Sequence, residues 1–318
     1  MKYCKHSRVT VLSLVLVVVA TLLVDSVVVG AGGNIFLRGA DRPALNIAHA
    51  GAASIAPQNT IVAGEKALTA GADLWGIDTR LTKDGVFVLM HDKTLTRTTN
   101  AKEVFPNRGP WEVKDFTLEE IKKLDAGSWF VKSDPFGEIA SGNVPQADQE
   151  AYIGEKVPTL REALLFTREH NWRMDIEVKA MDYVTPAEIA GKLASLIHAI
   201  GMKDRVMVSS FDHRILVQVK KLDPHIPTAA LVILPPLDVA SFLAGMNADG
   251  YEPSPIAFNS KVAEELAAQG YGVYVWTYDG QEELRNLAQT AGVSGIYTDF
   301  PQRLHAILAE LYGSERDR

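Results

Sequence analysis

Hydrophobic and polar positions repeat in a regular order along most of the chain. From residue 44 onward, short runs rich in β-branched and aromatic residues, typical of buried strands, alternate with stretches of helical apolar periodicity. The predicted strands are Ala44–Ala48, Asp73–Leu81, Val86–Met90, Arg173–Val178, Val206–Ser210, Thr228–Ile233, Asp249–Glu252, Gly272–Thr277 and Gly295–Tyr297. The helices predicted with bounds are Thr60–Ala70, Pro186–Ile200, Ile215–Leu222, Leu237–Ala244 and Ser260–Gln269.

Strands that alternate with helices pair in parallel, because each helix returns the chain to the same end of the sheet. The pattern contains eight strand–helix units in a chain of 318 residues. An open doubly wound sheet could hold them, but this number favours a closed (β/α)8 TIM-type barrel within residues 44–313. The strand at Asp249–Glu252 is the weakest of the set.

One long stretch, residues 93 to about 157, does not follow this alternation. It contains clusters of Gly, Pro, Asn and aromatic residues, such as "FPNRGPW" at 105–111. Long segments of this kind in compact domains are usually functional. We therefore predict an insertion on the functional rim, after the second strand region.

The first 31 residues differ from the rest. Lys2, Lys5 and Arg8 precede an apolar run at 9–24, and small residues follow at 29–31. This order is typical of a signal peptide, and it predicts an exported protein that is periplasmic, at the cell surface or secreted. An uncleaved anchor is the alternative, although the run is shorter than the ~20 residues of a spanning helix. Membrane contact is expected only through such an uncleaved N-terminus.

Charge and cysteine content narrow the possible functions. The formal net charge is −7, so we expect no nucleic-acid partner. The one cysteine, Cys4, rules out a disulfide framework and a thiolate zinc site.

Polar side chains gather at the predicted carboxyl ends of the strands, where barrel active sites lie. Alternation places Asp78 on one face with Gly76, and Glu177 on one face with Asp175 and Lys179. The polar residues at or near these ends are His49, Asp78, Arg80, His91, Asp92, Glu177, Lys179, Ser210, Asp212, Thr277, Thr298 and Asp299.

These residue types suit phosphodiester cleavage. Carboxylates on separate strands suit a hard divalent cation such as Ca²⁺ or Mg²⁺, and a cation beside Lys179 would attract a phosphate. His49 and His91 titrate in the range needed to pass protons near neutrality. One could take a proton from the attacking hydroxyl while the other protonates the leaving oxygen.

Each of these residues also has a simpler explanation. His49 could be a hydrogen-bonded structural residue, and Asp92 could belong to a turn. Glu177 and Lys179 could form a buried pair that fills the barrel. Trp276 could belong to the core.

Several segments together resemble the glycerophosphodiester phosphodiesterase family. They are "IAHAGAASIAPQNT", "GADLWGIDTRLTKDGVFVLMHDKTLTRTTN", "VPTLREALLF", "MDIEVK", "SSF", "VYVWTYD" and "GIYTDFP". The resemblance implies a barrel, a divalent cation, and hydrolysis of a glycerophosphodiester to glycerol 3-phosphate and an alcohol. We therefore expect a small-molecule phosphodiester or a related phospholipid headgroup as the substrate. The resemblance also implies attack by the substrate's own glycerol hydroxyl. The implied site residues are His49 and His91 as catalytic residues, Asp78 and Glu177 as metal ligands, and Lys179, Gln58 and Trp276 as substrate-binding residues.

The chain departs from the family pattern at three positions. Ala50 follows His49 where the family has Arg, Gln58 stands where the family has Glu, and Gly76 replaces the first acid of a Glu-x-Asp pair. We expect Gly76 to leave space for a water, and Asp175 to support the cation only through water. These departures leave open a catalytically impaired family member that binds phosphodiester ligands.

Overall fold

The computed structural model describes Met1, Phe36 and residues 43–313. Apart from Met1, the predicted signal peptide or anchor at 1–31 lies outside the described residues. In the described part of the chain, no helix combines the length and the hydropathy needed to cross a membrane.

Eight parallel strands close into a ring, with a ninth, antiparallel strand on its outer edge. The strands are β1 (Leu45–His49), β2 (Leu74–Leu81), β3 (Phe87–Leu89), β4 (Met174–Val178), β5 (Val206–Ser210), β6 (Thr228–Val232), β7 (Gly250–Pro253), β8 (Gly272–Val275) and β9 (Gly295–Thr298). The ring closes because β1 pairs in parallel with both β2 and β9. β3 pairs antiparallel with β2. The predicted (β/α)8 barrel is confirmed, and the open sheet is excluded.

Helices follow the strands and surround the ring. They are α1 (Ile61–Thr69), α2 (Ala101–Val104), α3 (Leu118–Ile121), α4 (Ser128–Ser133), α5 (Gln146–Tyr152), α6 (Leu160–Glu169), α7 (Pro186–Ile200), α8 (His213–Leu222), α9 (Val239–Met246), α10 (Ser260–Ala268), α11 (Gln281–Ala288) and α12 (Pro301–Tyr312). The helix predicted at Leu237–Ala244 begins two residues later, because the side chain of Asp238 caps it by accepting from the Ser241 amide.

The two faces of each strand pack differently. Outward side chains such as Trp75, Ile176 and Val208 form the main apolar cluster with the helices. Inward side chains near the amino ends of the strands, including Leu45 and Leu74, form a smaller cluster inside the ring. Polar side chains occupy the ring interior toward the carboxyl ends. The barrel interior therefore has an apolar base and a polar upper layer.

Short helices α2 to α5 and one 3-10 turn fill the segment between β3 and α6. Phe130 of α4 and Tyr152 of α5 pack with Ala56 and Ala63. The apolar side chains of α2, α3 and the 3-10 turn join β3 in a separate cluster. Its buried members are Val88, Met90, Leu95, Ala101, Val113, Phe116, Ile121, Leu124, Ala126 and Val157. The domain bounds, 44–313 with an insertion at about 93–157, stay a prediction.

A buried hydrogen bond joins the barrel wall to α6 and can be tested. The Trp75 indole nitrogen donates to Thr167 Oγ1 at 2.9 Å, and both side chains are fully buried. We expect Thr167→Val to lower the free energy of unfolding by about 1–3 kcal/mol, because the indole N–H loses its partner. Urea unfolding measures this.

Thr69→Val is the matched control, since the Thr69 hydroxyl bonds only to the Glu65 carbonyl on an exposed face. An equal loss of unfolding free energy in both variants would contradict the stabilising role of the hydrogen bond between Trp75 and Thr167.

Candidate active site

A cavity of about 160 Å³ opens at the carboxyl ends of the strands. Its lining brings together residues from most of the ring. They are His49, His91, Asp175, Glu177, Lys179, Ser209, Phe211, Leu231, Glu252, Trp276, Thr277 and Tyr297. Five of the seven residues predicted for the site are among them: His49, His91, Glu177, Lys179 and Trp276.

A buried ammonium stands between the two predicted metal-binding carboxylates. Lys179 Nζ lies 2.7 Å from Asp78 Oδ1 and 2.5 Å from Glu177 Oε1. The arrangement follows from strand register, because Asp78 of β2 is paired with Glu177 of β4. Burial works against the charge of Lys179, but the two carboxylates outweigh it and raise its pKa. Asp78, the sixth residue predicted for the site, is thus connected to the cavity through its ion pair with Lys179.

Asn59 holds the Asp78 carboxylate in place. Its Nδ2 donates to Asp78 Oδ2 at 2.6 Å, and its Oδ1 accepts from the Asp78 amide at 2.9 Å. Asn59 has a φ of +57°, in the left-handed region that Asn tolerates better than most residues. Burial favours the neutral acid, but Lys179 lowers the pKa of Asp78 below its usual value, so Asp78 is ionised at neutral pH.

His49 ends β1 and is paired with Asp299, which follows β9. The His49 Nδ1 to Asp299 Oδ1 distance is 2.8 Å. Burial alone would lower the pKa of His49, but the charge and hydrogen bond of Asp299, with help from Asp78, raise it to about 9. His49 is therefore an imidazolium at neutral pH.

His91 is held from two sides. Its Nδ1 lies 2.8 Å from Asp92 Oδ1, and the Arg80 guanidinium donates to its carbonyl at 2.9 and 3.0 Å. Arg97 binds Asp92 with two nitrogens and lowers the pKa of that carboxyl to about 2. Asp92 therefore does more than shape a turn, because it is an ionised partner for His91.

Gln58, the seventh predicted residue, lies beside the main cavity. Its Oε1 accepts from Arg97 Nη1 at 3.1 Å. It lines a small cleft that also contains His91. Its part in substrate binding stays a prediction. Trp276 lines the main cavity, donates to the Glu252 carbonyl at 2.8 Å and packs edge-on against Phe211.

The base of the cavity is acidic, and sequence reasoning missed part of it. Asp175 Oδ2 accepts from Ser209 at 2.8 Å, and Glu252 Oε1 accepts from Tyr297 at 3.0 Å. Burial raises the pKa of Asp175 to about 7 and that of Glu252 well above its usual range. Sequence reasoning did not predict Glu252 and Tyr297 as site residues, although each ends a predicted strand, and that position is the signal that could have marked them.

The expectation about Gly76 is wrong. A Cβ at this position would lie 2.8 Å from Cε1 of Tyr297, so the ring of Tyr297 occupies the space expected for a water. The ring comes from β9, two strands away around the barrel and over two hundred residues along the chain.

The donor set suits a hard divalent cation in its chemistry. Asp78 and Glu177 converge on one cationic atom, and the buried Asp175 Oδ1 has no hydrogen-bond partner. Burial and the Asp78 charge raise the pKa of Glu177 to about 7, a sign that the cavity holds more acid than Lys179 balances. Within the described residues, no three His, Cys, Asp or Glu side chains stand close enough to complete a metal site.

Comparison with known proteins identifies the family. Residues 49–303 match the model of the Glycerophosphoryl diester phosphodiesterase family. The chain belongs to this family. Members of the family generally depend on divalent metals.

Proteins named as members of this family are similar to this chain along most of its length. A glycerophosphodiester phosphodiesterase of Caldanaerobacter subterraneus is 36% identical over 265 residues, which cover 82% of this chain and 96% of the relative. One from Bacillus subtilis is 32% identical over 273 residues, covering 83% and 86%. The chain is therefore a phosphodiester hydrolase.

Solved structures share the fold. A putative glycerophosphoryl diester phosphodiesterase from Silicibacter pomeroyi superposes with a TM-score of 0.73 at 26% identity, covering 86% of this chain and 96% of that one. An Oleispira antarctica phosphodiesterase, solved with the product sn-glycerol-3-phosphate, superposes with a TM-score of 0.70 at 25% identity, covering 82% and 95%.

The raised pKa of His49 can be measured directly. We expect Asp299→Asn to lower it by about 1–3 pH units, because the nearby negative charge is removed. NMR titration of the imidazole gives the value. Asp223→Asn is the control, since it removes the carboxylate of the surface pair His198–Asp223, 2.8 Å apart. A His49 pKa unchanged in Asp299→Asn would contradict this account.

Proposed function

We propose that this protein hydrolyses glycerophosphodiesters to glycerol 3-phosphate and an alcohol, with a divalent cation and with His49 and His91 as acid and base. The observation that carries the proposal is that both imidazoles line one cavity with Glu177 and Lys179. The Oleispira relative, solved with sn-glycerol-3-phosphate, supports a small phosphodiester substrate.

The two histidines have complementary tasks. Each ring has Nδ1 beside a carboxylate, which leaves Nε2 to exchange a proton with a ligand. His49 holds its proton at neutral pH because of Asp299. It therefore acts as the general acid, and His91 acts as the general base.

The first step breaks one bond to phosphorus and makes another. His91 takes the proton of the glycerol hydroxyl next to the phosphoester, and that oxygen attacks phosphorus. The bond to the headgroup oxygen breaks, and His49 gives its proton to the departing alcohol. Water then opens the cyclic phosphate with the two histidines in reversed tasks, which restores their starting protonation states.

Asp78 and Glu177 would hold the cation, either Ca²⁺ or Mg²⁺, which both prefer oxygen ligands. When bound, the cation supplies positive charge that offsets the negative charge on the phosphate. Lys179 would then be free of its two carboxylates and could bind a phosphate oxygen.

The alcohol part of the substrate faces a largely apolar wall. Phe211, Leu231 and Trp276 line this side of the cavity, and Phe211 is 39% exposed. A choline or other small headgroup could pack there, and an aromatic face suits a quaternary ammonium.

The second candidate is a binder with impaired catalysis. Ala50 offers no guanidinium, and Arg80 and Arg97 already bind His91 and Asp92. A protein of this kind would bind a phosphodiester in the same cavity but would not hydrolyse it.

We also propose that the protein is exported through its first 31 residues. The basic, apolar and small-residue order supports this. Mass spectrometry of the cell-associated and secreted protein would show whether residues 1–31 are removed. An intact N-terminus in every fraction would contradict cleavage.

Removing either histidine tests the acid–base assignment. We expect His49→Ala and His91→Ala each to lower kcat on glycerophosphocholine by about 10²–10⁴-fold. Release of glycerol 3-phosphate is the measurement. His198→Ala is the control, because His198 lies on the surface beside Asp223. Wild-type-like turnover in either active-site variant would sink the assignment.

Removing the cation separates the two candidates. We expect EDTA to abolish hydrolysis, and Ca²⁺ or Mg²⁺ to restore it. If wild-type protein binds glycerol 3-phosphate yet releases no product from several headgroups with added cation, the binder is correct.

A further inference from the structure

In the described part of the chain, the Arg80 guanidinium bonds to main-chain carbonyls alone, and both of them belong to the edge of the candidate active site. Its Nε and Nη2 donate to the His91 carbonyl at 3.0 and 2.9 Å, and its Nη1 donates to the Ala180 carbonyl at 3.4 Å. Ala180 directly follows Lys179 in the chain. The charged group of Arg80 is therefore used to hold backbone beside two residues of the site.

Strand register explains why Arg80 reaches this backbone. Arg80 shares one face of β2 with Asp78, and it is paired with Val88 of the antiparallel strand β3. The chain that leaves β3 first passes Met90, whose amide donates to the Asp78 carbonyl at 2.9 Å, and then reaches His91. The guanidinium thus meets the chain one residue beyond the last main-chain bond to β2.

Two contacts hold His91, and they act on different parts of the residue. Asp92 lies 2.8 Å from the ring Nδ1 and sets how the imidazole is turned. Among the residues that the structure describes, Arg80 alone donates to the His91 carbonyl, and its two bonds fix the peptide group that carries the ring. A general base must lie within about 3 Å of the proton that it takes. A shift of this peptide group would therefore lower the rate.

Lys179 depends less on Arg80 than His91 does. Its ammonium is held by Asp78 at 2.7 Å and by Glu177 at 2.5 Å, whereas Arg80 only bonds to the neighbouring residue over 3.4 Å. Loss of the guanidinium should therefore disturb proton transfer at His91 more than the placement of Lys179.

We propose that Arg80 is a positioning residue for His91, which fixes the main chain of His91 so that its imidazole stands at reacting distance in the cavity. The inference rests on the proposed function, in which His91 is the general base. It gives Arg80 no contact with the substrate.

The balance between kcat and KM tests this role. We expect Arg80→Met to lower kcat on glycerophosphocholine about 10- to 100-fold and to leave KM within about threefold, because a displaced base weakens the transition state more than substrate binding. Urea unfolding checks that the variant is folded. Arg168→Met is the matched control with wild-type kcat expected, because Arg168 Nη1 also donates to a main-chain carbonyl, that of Ile200 at 3.2 Å, on the helical layer.

A second background tests whether Arg80 acts through His91. In His91→Ala, we expect Arg80→Met to lower kcat by less than about a further threefold, because the residue that it positions has lost its ring. In His49→Ala, the loss should stay at about tenfold or more, since His91 is still present. If Arg80→Met does not fold, Arg80→Lys replaces it, with a smaller loss of about 3- to 10-fold expected because Lys keeps the charge but not the planar fork.

The outcomes that overturn the inference differ from those that overturn the proposed function. Wild-type kcat in folded Arg80→Met would refute the positioning role, while an inactive His91→Ala would still support the base. A KM raised about tenfold at unchanged kcat would instead make Arg80 a substrate-binding residue. Equal losses in the His91→Ala and His49→Ala backgrounds would show that Arg80 acts independently of His91. If His91→Ala has wild-type turnover, the base assignment and the inference fail together.

Discussion

The upper half of the barrel depends on one buried ammonium between two carboxylates. Lys179 balances charges that β2 and β4 bring together in register, Asp78 and Glu177. Removing one partner from a buried pair leaves an uncompensated charge, which typically costs ~3–5 kcal/mol. The same contact keeps the acids oriented toward one point. Stability and the proposed cation site therefore involve the same three side chains.

Around this centre, neighbouring charges determine which side chains are protonated at neutral pH. Asp299 keeps His49 protonated, while Asp92 is held ionised by Arg97 beside His91. Deeper in the barrel, burial makes the acids weak, as the raised pKa of Asp175 shows. The same site thus contains carboxyl groups with lowered pKa values and others with raised pKa values. The difference arises because these groups differ in their burial and in their distance to positive charge.

Much of this could be predicted from the sequence, because strand alternation and strand ends are local signals. Eight short apolar runs, each followed by a helical pattern, predict the barrel. Because alternate residues of a strand point to the same face, the strand ends also predict that His49 and His91 lie near Glu177 and Lys179. Contacts between remote strands could not be predicted. Nothing near Gly76 in the sequence indicates that Tyr297 fills its space. Glu252 ends a predicted strand, but no local pattern indicates that it reaches the same cavity as the histidines.

The segment between β3 and α6 shares its apolar cluster with Val88 and Met90 of the strand end that leads to His91. Altering that cluster would move the backbone that carries His91, the general base in the proposed mechanism. Among the described residues, the loops after β5, β6 and β7 contribute no member to that cluster, and exposed apolar residues such as Leu234, Leu237 and Ile256 lie there. Natural variation in headgroup preference should therefore accumulate on this second side of the mouth, where loops can change length without disturbing the reacting groups.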